Sequence, residues 1–141
     1  MAQTITEKIF SQHVGKEVFA GEIIRSNIDM VIGNDITTPI SISAFNLSGA
    51  TQLANPDGFS IVLDHFIPAK DIASANQAKI SRQFAKKHKM KNFFDEKDMG
   101  IEHALLPEKG LIVPGDVIIG ADSHTCTLFL REWVQRTLHL Q

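Results

Sequence analysis

The sequence predicts a three-layer α/β fold, in which a mostly parallel sheet is flanked by helices. Short runs of β-branched and apolar residues alternate with helical patterns along the chain, which is typical of a doubly wound parallel sheet. Two runs, at 60–63 and 117–119, are apolar enough to be strands buried on both faces. The length of 141 residues allows one domain at most.

The first elements expected are a helix and a strand. Thr4 and Glu7 have the spacing of a capping box, so we expect a helix over about 4–13, and Gly15 ends it. Residues 23–32 are rich in β-branched side chains and predict a strand.

A second helix and a second strand follow. Thr37, Thr38 and Pro39 resemble the cap and first turn of a helix that ends near Gly49. The Asn-Pro-Asp-Gly segment at 55–58 predicts a turn, and the strand at 60–63 comes directly after it.

The second half predicts a long helix, two short strands and a loop or short helix between the strands. Ile72, Ile80 and Phe84 recur at helical spacing within 71–89, so we expect them on the apolar face of that helix. After that helix, residues 92–94 predict a brief strand, and residues 100–106 predict a loop or short helix. The last predicted strand is at 117–119.

Composition excludes several classes of partner. Fourteen Lys and Arg against sixteen Asp and Glu give a formal charge of −2, which provides no field for nucleic acid or anionic lipid. No segment has the length of a membrane-spanning helix, and the first 13 residues do not resemble a signal peptide. A single cysteine fits a reducing compartment, so we expect a cytoplasmic protein.

Two carboxylate and imidazole pairs follow predicted strands. Asp64 precedes His65, and Asp122 lies two residues before His124. Ligands bind at the carboxyl ends of the strands in open α/β sheets, so both pairs are expected at one crevice. A carboxylate fixes the tautomer of an imidazole and raises its basicity, which suits proton transfer near neutral pH.

Other interpretations of these residues remain open. Ser123 lacks the Gly-x-Ser-x-Gly elbow of a hydrolase nucleophile. A zinc site is chemically possible, but no His-Glu-x-x-His or Cys-x-x-Cys spacing supports it, so we assign no metal ligand. The candidates for such a site are Asp64, His65, His103, Asp122 and His124.

Four segments resemble motifs of the aconitase superfamily and occur in the family's order. The most specific is Gly-Ala-Asp-Ser-His-Thr at 120–125; the others are Asn-Asp-Ile-Thr-Thr-Pro at 34–39, Asp-His at 64–65 and Gly-Ile-Glu-His at 100–103. Within the superfamily the chain is most similar to the 3-isopropylmalate dehydratase large-subunit family. The resemblance covers residues 1–127 and implies the N-terminal part of an aconitase-type α/β domain.

This resemblance implies a hydro-lyase that isomerises 2-isopropylmalate to 3-isopropylmalate in leucine biosynthesis. His65, supported by Asp64, resembles the pair that protonates the departing hydroxyl group. His103, Asp122 and His124 resemble the family's network that orients water and substrate. Ser123, Thr37 and Thr38 resemble its substrate contacts. Pro39 stands where the aconitase branch has a glutamine.

The resemblance also implies a [4Fe-4S] cluster, a small-subunit partner and a hydroxy-dicarboxylate substrate for the full-length family. The cluster is bound by three downstream cysteines, whereas this chain has only Cys126, which matches none of them. We therefore expect the 141-residue chain alone to be inactive. The alternatives are homoaconitase or another aconitase-family hydratase, or a non-catalytic α/β module that binds a small dicarboxylate.

The tail at 128–141 does not resemble the family's glycine-rich continuation and contains no glycine. In another reading frame, permissible codons give Phe-Ser-Thr-Gly-Met-Gly-Ser-Lys-Asp-Phe-Ala-Phe-Ala, which is similar to that continuation. We therefore predict that the tail is out of frame; a natural C-terminal helix is the other interpretation. Sequencing the gene across codon 127 distinguishes the two.

Overall fold

The computed structural model describes residues 2–128. It contains four parallel strands, β1 (Met30–Asn34), β2 (Phe59–Val62), β3 (Asn92–Phe94) and β4 (Ile118–Gly120), in the order β3-β2-β1-β4. The helices are α1 (Ile5–Val14), α2 (Thr37–Leu47), α3 (Ile72–Lys87) and α4 (Glu102–Glu108), and a 3-10 helix covers Pro56–Gly58. None of the described helices could cross a membrane.

Helices cover both faces of the sheet, which confirms the predicted three-layer architecture. On one face, Met30, Ile32 and Val62 pack with Leu106 of α4. On the other face, Ile61 and Leu63 pack with Ala78 of α3, and α2 lies beside α3. All four strands are parallel, so their carboxyl ends lie along one edge of the sheet.

The predicted first helix is confirmed, including its ends. Thr4 and Glu7 form both hydrogen bonds of the capping box. Gly15 follows the last turn with φ at 76°, a left-handed conformation that glycine adopts without a Cβ penalty.

The predicted strand at 23–32 is wrong over most of its length. Strand β1 begins only at Met30, residues 22–28 have no regular secondary structure, and Ile23 is fully exposed. A β-branched run becomes a strand only where a neighbouring strand pairs with it. Here the pairing of β1 with β2 and β4 lies within 30–34.

The apolar face predicted for α3 is also wrong in part. Ile72 is 81% exposed and Ile80 is 41% exposed, whereas Phe84 packs against the core. The buried face carries smaller side chains, namely Ser74, Ala78, Ser81 and Ala85. Small residues allow the helix to approach the sheet closely, which a pattern of large apolar residues does not reveal.

One further difference concerns the last strand. Within the described part of the chain, β4 is an edge strand rather than a buried one, and Ile119 is 49% exposed. The tail prediction for 128–141 lies outside the described residues except for Leu128, which is buried in the core with Ile32 and Leu106.

Candidate functional site

The sheet brings the polar residues that follow its strands to one edge. Asn34 ends β1, Asp64 and His65 come shortly after β2, and Asp122 comes two residues after β4. Strand β2, the next strand along the chain, pairs with one side of β1, and β4 pairs with the other side of β1. This reversal is a topological switch point, the usual position of a ligand crevice in open α/β sheets.

Asp64 and His65 form a tight pair. The Asp64 Oδ1 atom lies 2.6 Å from His65 Nδ1, and Asp64 Oδ2 accepts a 2.7 Å hydrogen bond from the backbone N–H of Glu102. The Asp64 side chain is 8% exposed and that of His65 is 38% exposed. Both carboxylate oxygens are therefore fixed, while the imidazole reaches the surface.

Asp35 supports this pair from the end of β1. It is completely buried, and its two oxygens accept hydrogen bonds from the backbone N–H groups of His65 (3.1 Å) and Phe66 (2.6 Å). The Asp35 Oδ1 atom also lies 3.6 Å from His65 Nδ1. Asp35 thus ties the turn after β2 to the end of β1.

The surroundings of His65 favour its protonated form. Burial works against the imidazolium, but the hydrogen bond to Asp64 and the charges of Asp64, Asp35 and Asp122 outweigh it and raise the pKa of His65. With Nδ1 against Asp64, Nε2 is the atom available for exchanging a proton with a ligand.

Asp122 organises the second group. Its Oδ2 accepts a 2.5 Å hydrogen bond from the backbone N–H of His124 and lies 3.3 Å from His124 Nδ1 and 3.5 Å from His103 Nε2. The backbone N–H of His124, followed by the hydrogen bond and charge of His103, lowers the pKa of Asp122. The His124 side chain is 73% exposed, and Ser123 Oγ lies 3.2 Å from its Nδ1.

Asn34 and Glu102 connect the two groups. The Asn34 amide nitrogen Nδ2 donates to Glu102 Oε2 (3.5 Å) and to Asp122 Oδ1 (3.4 Å), while the Glu102 backbone donates to Asp64. Glu102 is 1% exposed, and burial, followed by the charges of Asp64 and Asp122, raises its pKa to about 7. Both acid and imidazole pairs therefore belong to one network.

The two threonines stand in the first turn of α2. Thr37 bonds to Asn34, whose Oδ1 accepts from the Thr37 backbone N–H (2.9 Å) and hydroxyl (3.0 Å). Asn34 Oδ1 also accepts from the Ile36 N–H, so the start of α2 is held by Asn34 rather than by a threonine cap, and the N-cap residue is Ile36. Thr38 is a buried residue in the first turn of α2, and it lines an apolar cavity with Ile42 and Phe45.

Sequence reasoning assigned no role to Asn34, Asp35 or Glu102. All three stand within segments already singled out, Asn34 and Asp35 directly at a strand end and Glu102 beside His103. A search for every polar residue at a strand end could have found the first two. Nothing local marks Glu102, because the burial that distinguishes it comes from the tertiary fold.

Among residues 2–128, two groups could hold a metal ion, since each offers three ligand atoms that lie within 4.8 Å of one another. They are Asp35 with Asp64 and His65, and Glu102 with His103 and Asp122. The residues do not fit an iron-sulfur cluster, because Cys126 is the single cysteine of the sequence and is exposed.

The chain is similar to one family model and to several proteins of known name. The sequence model of the aconitase family (aconitate hydratase) matches residues 7–128. The 3-isopropylmalate dehydratase large subunit of Sulfurimonas denitrificans is 90% identical over 127 residues, and those of Aliarcobacter butzleri and Campylobacter curvus are 84% identical over the same length. These matches cover 90% of this chain and 30% of each relative.

Proposed function

Because the chain belongs to the aconitase family, we propose that it supplies part of the active site of a hydro-lyase that isomerises 2-isopropylmalate to 3-isopropylmalate in leucine biosynthesis. The names of the similar large subunits support this substrate. The chain spans 30% of their length, so the proposed activity belongs to a protein that contains the remaining part as well.

One observation carries the proposal: two carboxylate and imidazole pairs share a single hydrogen-bonded network at the switch point. Dehydration removes a proton from a carbon beside a carboxylate and a hydroxyl group from the neighbouring carbon. The departing hydroxyl needs a proton, and the reacting groups need fixed positions. Such a network provides both.

His65 is the proposed acid. Its Nε2 would give a proton to the departing hydroxyl, so that water leaves, and Asp64 would hold the ring in position through Nδ1. The charges of Asp64 and Asp35 favour the imidazolium that this step requires. In the rehydration half of the reaction, the neutral ring would take a proton back from water.

The second group is proposed to orient the ligand. His103, Asp122 and His124 would position water and substrate, and the Ser123 hydroxyl would contact a substrate carboxylate. Thr37 would act through its bonds to Asn34, which in turn holds Asp122. Thr38, which is buried in the first turn of α2, would contribute to the shape of this region rather than touch the ligand.

The whole protein is proposed to need groups that this chain does not contain. A [4Fe-4S] cluster would act as the Lewis acid, its cysteine ligands lie outside these 141 residues, and the base would come from a small-subunit partner. We also propose that the protein acts in the cytoplasm.

A chimera tests the proposal. Residues 1–127 of this chain replace the matching residues of the Sulfurimonas denitrificans large subunit, which is purified with its small subunit, reconstituted with iron and sulfide, and assayed with 2-isopropylmalate. We expect 3-isopropylmalate to form at a rate close to that of the parent enzyme. A folded chimera with an intact cluster but without turnover contradicts the proposed function.

The 141-residue chain is the matched comparison. Combined with the same small subunit and reconstituted in the same way, it is expected to give no turnover, because a single cysteine cannot hold the cluster. Turnover by this chain would refute that expectation.

A further inference from the structure

The pair of His13 and Asp29 joins the first helix to the amino edge of the sheet. Helix α1 contains no buried residue, so packing holds it only weakly. Within residues 2–128, the other side-chain hydrogen bonds of α1 stay inside the helix or go to nearby residues, at 3–4 and 18–20. The 2.6 Å contact with Asp29, the residue before β1, therefore ties the helix to the sheet.

Both ring nitrogens of His13 face oxygen atoms. Nδ1 lies 2.8 Å from the carbonyl oxygen of Ile9, and Nε2 lies 2.6 Å from Asp29 Oδ2. A carbonyl group and an ionised carboxylate can only accept hydrogen bonds, so both nitrogens have to donate. Only the imidazolium form carries a proton on each nitrogen, and a neutral ring would turn a lone pair toward one of the two oxygens.

Asp29 is held as the ionised partner of this pair. Its Oδ2 also accepts a 2.7 Å hydrogen bond from the backbone N–H of Val117, the residue before β4. The Asp29 backbone N–H donates to the Val117 carbonyl in return, at 2.9 Å. Hydrogen bonds to a carboxylate favour its charged form, so the shared proton belongs to the imidazole.

The charges around the ring favour the same form. Among the described residues, the charged groups that act on His13 are Asp29 and Asp116, which lies two residues before β4. The hydrogen bond to the Ile9 carbonyl, followed by that to Asp29, raises the pKa of His13, although burial opposes it. The side chain is 13% exposed, so little water is available to replace either bond.

We propose that His13 and Asp29 form a proton-dependent latch, which fastens α1 to the sheet while the imidazole carries both protons and releases the helix when one is lost. The neutral ring can donate only one hydrogen bond, so it gives up either Ile9 or Asp29. The latch lies at the amino edge of the sheet, opposite the candidate site, and this inference does not rest on the proposed function.

The direction of the pH effect follows from the raised pKa of His13. The latch stabilises α1 fully below the pKa of histidine in an unfolded chain, which is about 6.5. This stabilisation is lost as the pH rises through the higher pKa of folded His13. The helix is therefore expected to open more often in alkaline solution.

The test uses the isotope-labelled 141-residue chain between about pH 5 and pH 9, the range that spans histidine titration. Long-range proton–nitrogen NMR spectra show whether one or both ring nitrogens of His13 carry a proton. Amide hydrogen exchange, corrected for the intrinsic rate at each pH, shows how often α1 opens. We expect both nitrogens to be protonated at the acidic end. The protection of α1 should fall by about tenfold or more as the ring titrates, while that of α3 does not follow the titration.

Three variants separate the latch from a merely structural role of His13. His13→Gln cannot titrate, so α1 should be poorly protected at every pH. Asp29→Asn removes the charge that favours the imidazolium, and the fall in α1 protection should move to lower pH. His124→Gln is the matched control, because that ring also lies near an aspartate, 3.3 Å from Asp122, but at the opposite edge of the sheet. It should leave the pH dependence of α1 unchanged.

Three results would overturn the proposal. The first is a His13 ring with a single protonated nitrogen at a pH where α1 is protected. The second is protection of α1 in wild type that does not change with pH. The third is a pH dependence of α1 that survives in His13→Gln, or that disappears in His124→Gln instead.

Discussion

Individual residues hold this site through hydrogen bonds to the backbone as much as through side-chain pairs. Asp35 is the clearest case, since both of its oxygens accept from N–H groups of the turn after β2. That turn carries His65, so the position of the proposed acid depends on a buried carboxylate at the end of a different strand.

Replacing Asp35 should therefore destabilise the fold. Asp35→Ala leaves two N–H groups without their acceptor, and we expect the free energy of unfolding to fall by about 2–4 kcal/mol. Urea denaturation of the 141-residue chain measures it. Asp57→Ala is the control, because the Asp57 side chain is 57% exposed and pairs with Lys91 at the surface, and it should cost less than about 1 kcal/mol. Equal losses for the two variants would contradict this role of Asp35.

The Asp95 and Arg82 pair predicts a pH dependence of stability. Arg82 Nε and Nη2 both donate to Asp95, and this bidentate hydrogen bond, opposed by burial, lowers the pKa of Asp95. A lowered folded-state pKa stabilises the protein above the unfolded pKa, and this stabilisation is lost as the pH falls through the folded value.

Asp95→Asn should consequently lower the free energy of unfolding by about 1 kcal/mol at pH 7, since both side chains are partly exposed. The difference in unfolding free energy between the variant and wild type should shrink as the pH falls below about 4, because Asp95 is then protonated in the unfolded chain before it is protonated in the folded protein. Denaturation curves across this pH range provide the measurement. A difference that stays constant down to the lowest pH would rule out the charge as its cause.

At the scale of elements, close packing at the end of β4 fixes the second group. A Cβ atom on Gly120 would lie 2.6 Å from Thr125 Oγ1 and 2.7 Å from Ile32 Cγ1, and Ile32 belongs to the core. We expect Gly120→Ala to cost about 1–3 kcal/mol of unfolding free energy.

Gly100→Ala is the matched comparison for that substitution. Its nearest neighbour would be the Leu105 side chain at 3.2 Å, which can move, so we expect a loss below about 1 kcal/mol. Thermal denaturation of the two variants gives the order of their stabilities. If Gly100→Ala proved the more damaging, the packing explanation for Gly120 would be wrong.

The elements also indicate how much the sequence could predict. The capping box at Thr4 and the parallel arrangement were predictable, because local hydrogen bonds and the alternation of strands and helices determine them. The start of β1 and the buried face of α3 were not, since pairing and the small residues Ala78 and Ala85 depend on what packs against them.

The same distinction applies to the site. That Asp64 and His65 lie at the same sheet edge as Asp122 could be predicted, because parallel strands bring their carboxyl ends together. The contributions of Asn34 and Glu102 could not, since Asn34 bonds to residues 68 and 88 positions away. Such contacts leave no periodicity in the sequence.

For the whole molecule, the proposed acid and orienting groups lie in a part that corresponds to 30% of the related large subunits. Their chemistry is proposed to require a cluster and a base from outside these 141 residues. Large apolar side chains such as Ile23 and Leu47 are exposed in the described part, with Leu47 at 89%.

The most direct measurement is the turnover number of the chimera with 2-isopropylmalate after His65→Asn. If His65 is the acid, kcat should fall by about 100-fold or more. The control is His13→Asn, because His13 Nε2 also lies 2.6 Å from an aspartate oxygen, that of Asp29, but this pair is at the amino end of β1. Substitutions remote from an active site usually have small effects, so we expect kcat to stay within about twofold of the parent value. A chimera with His65→Asn that keeps its cluster and turns over as fast as the parent would contradict the account.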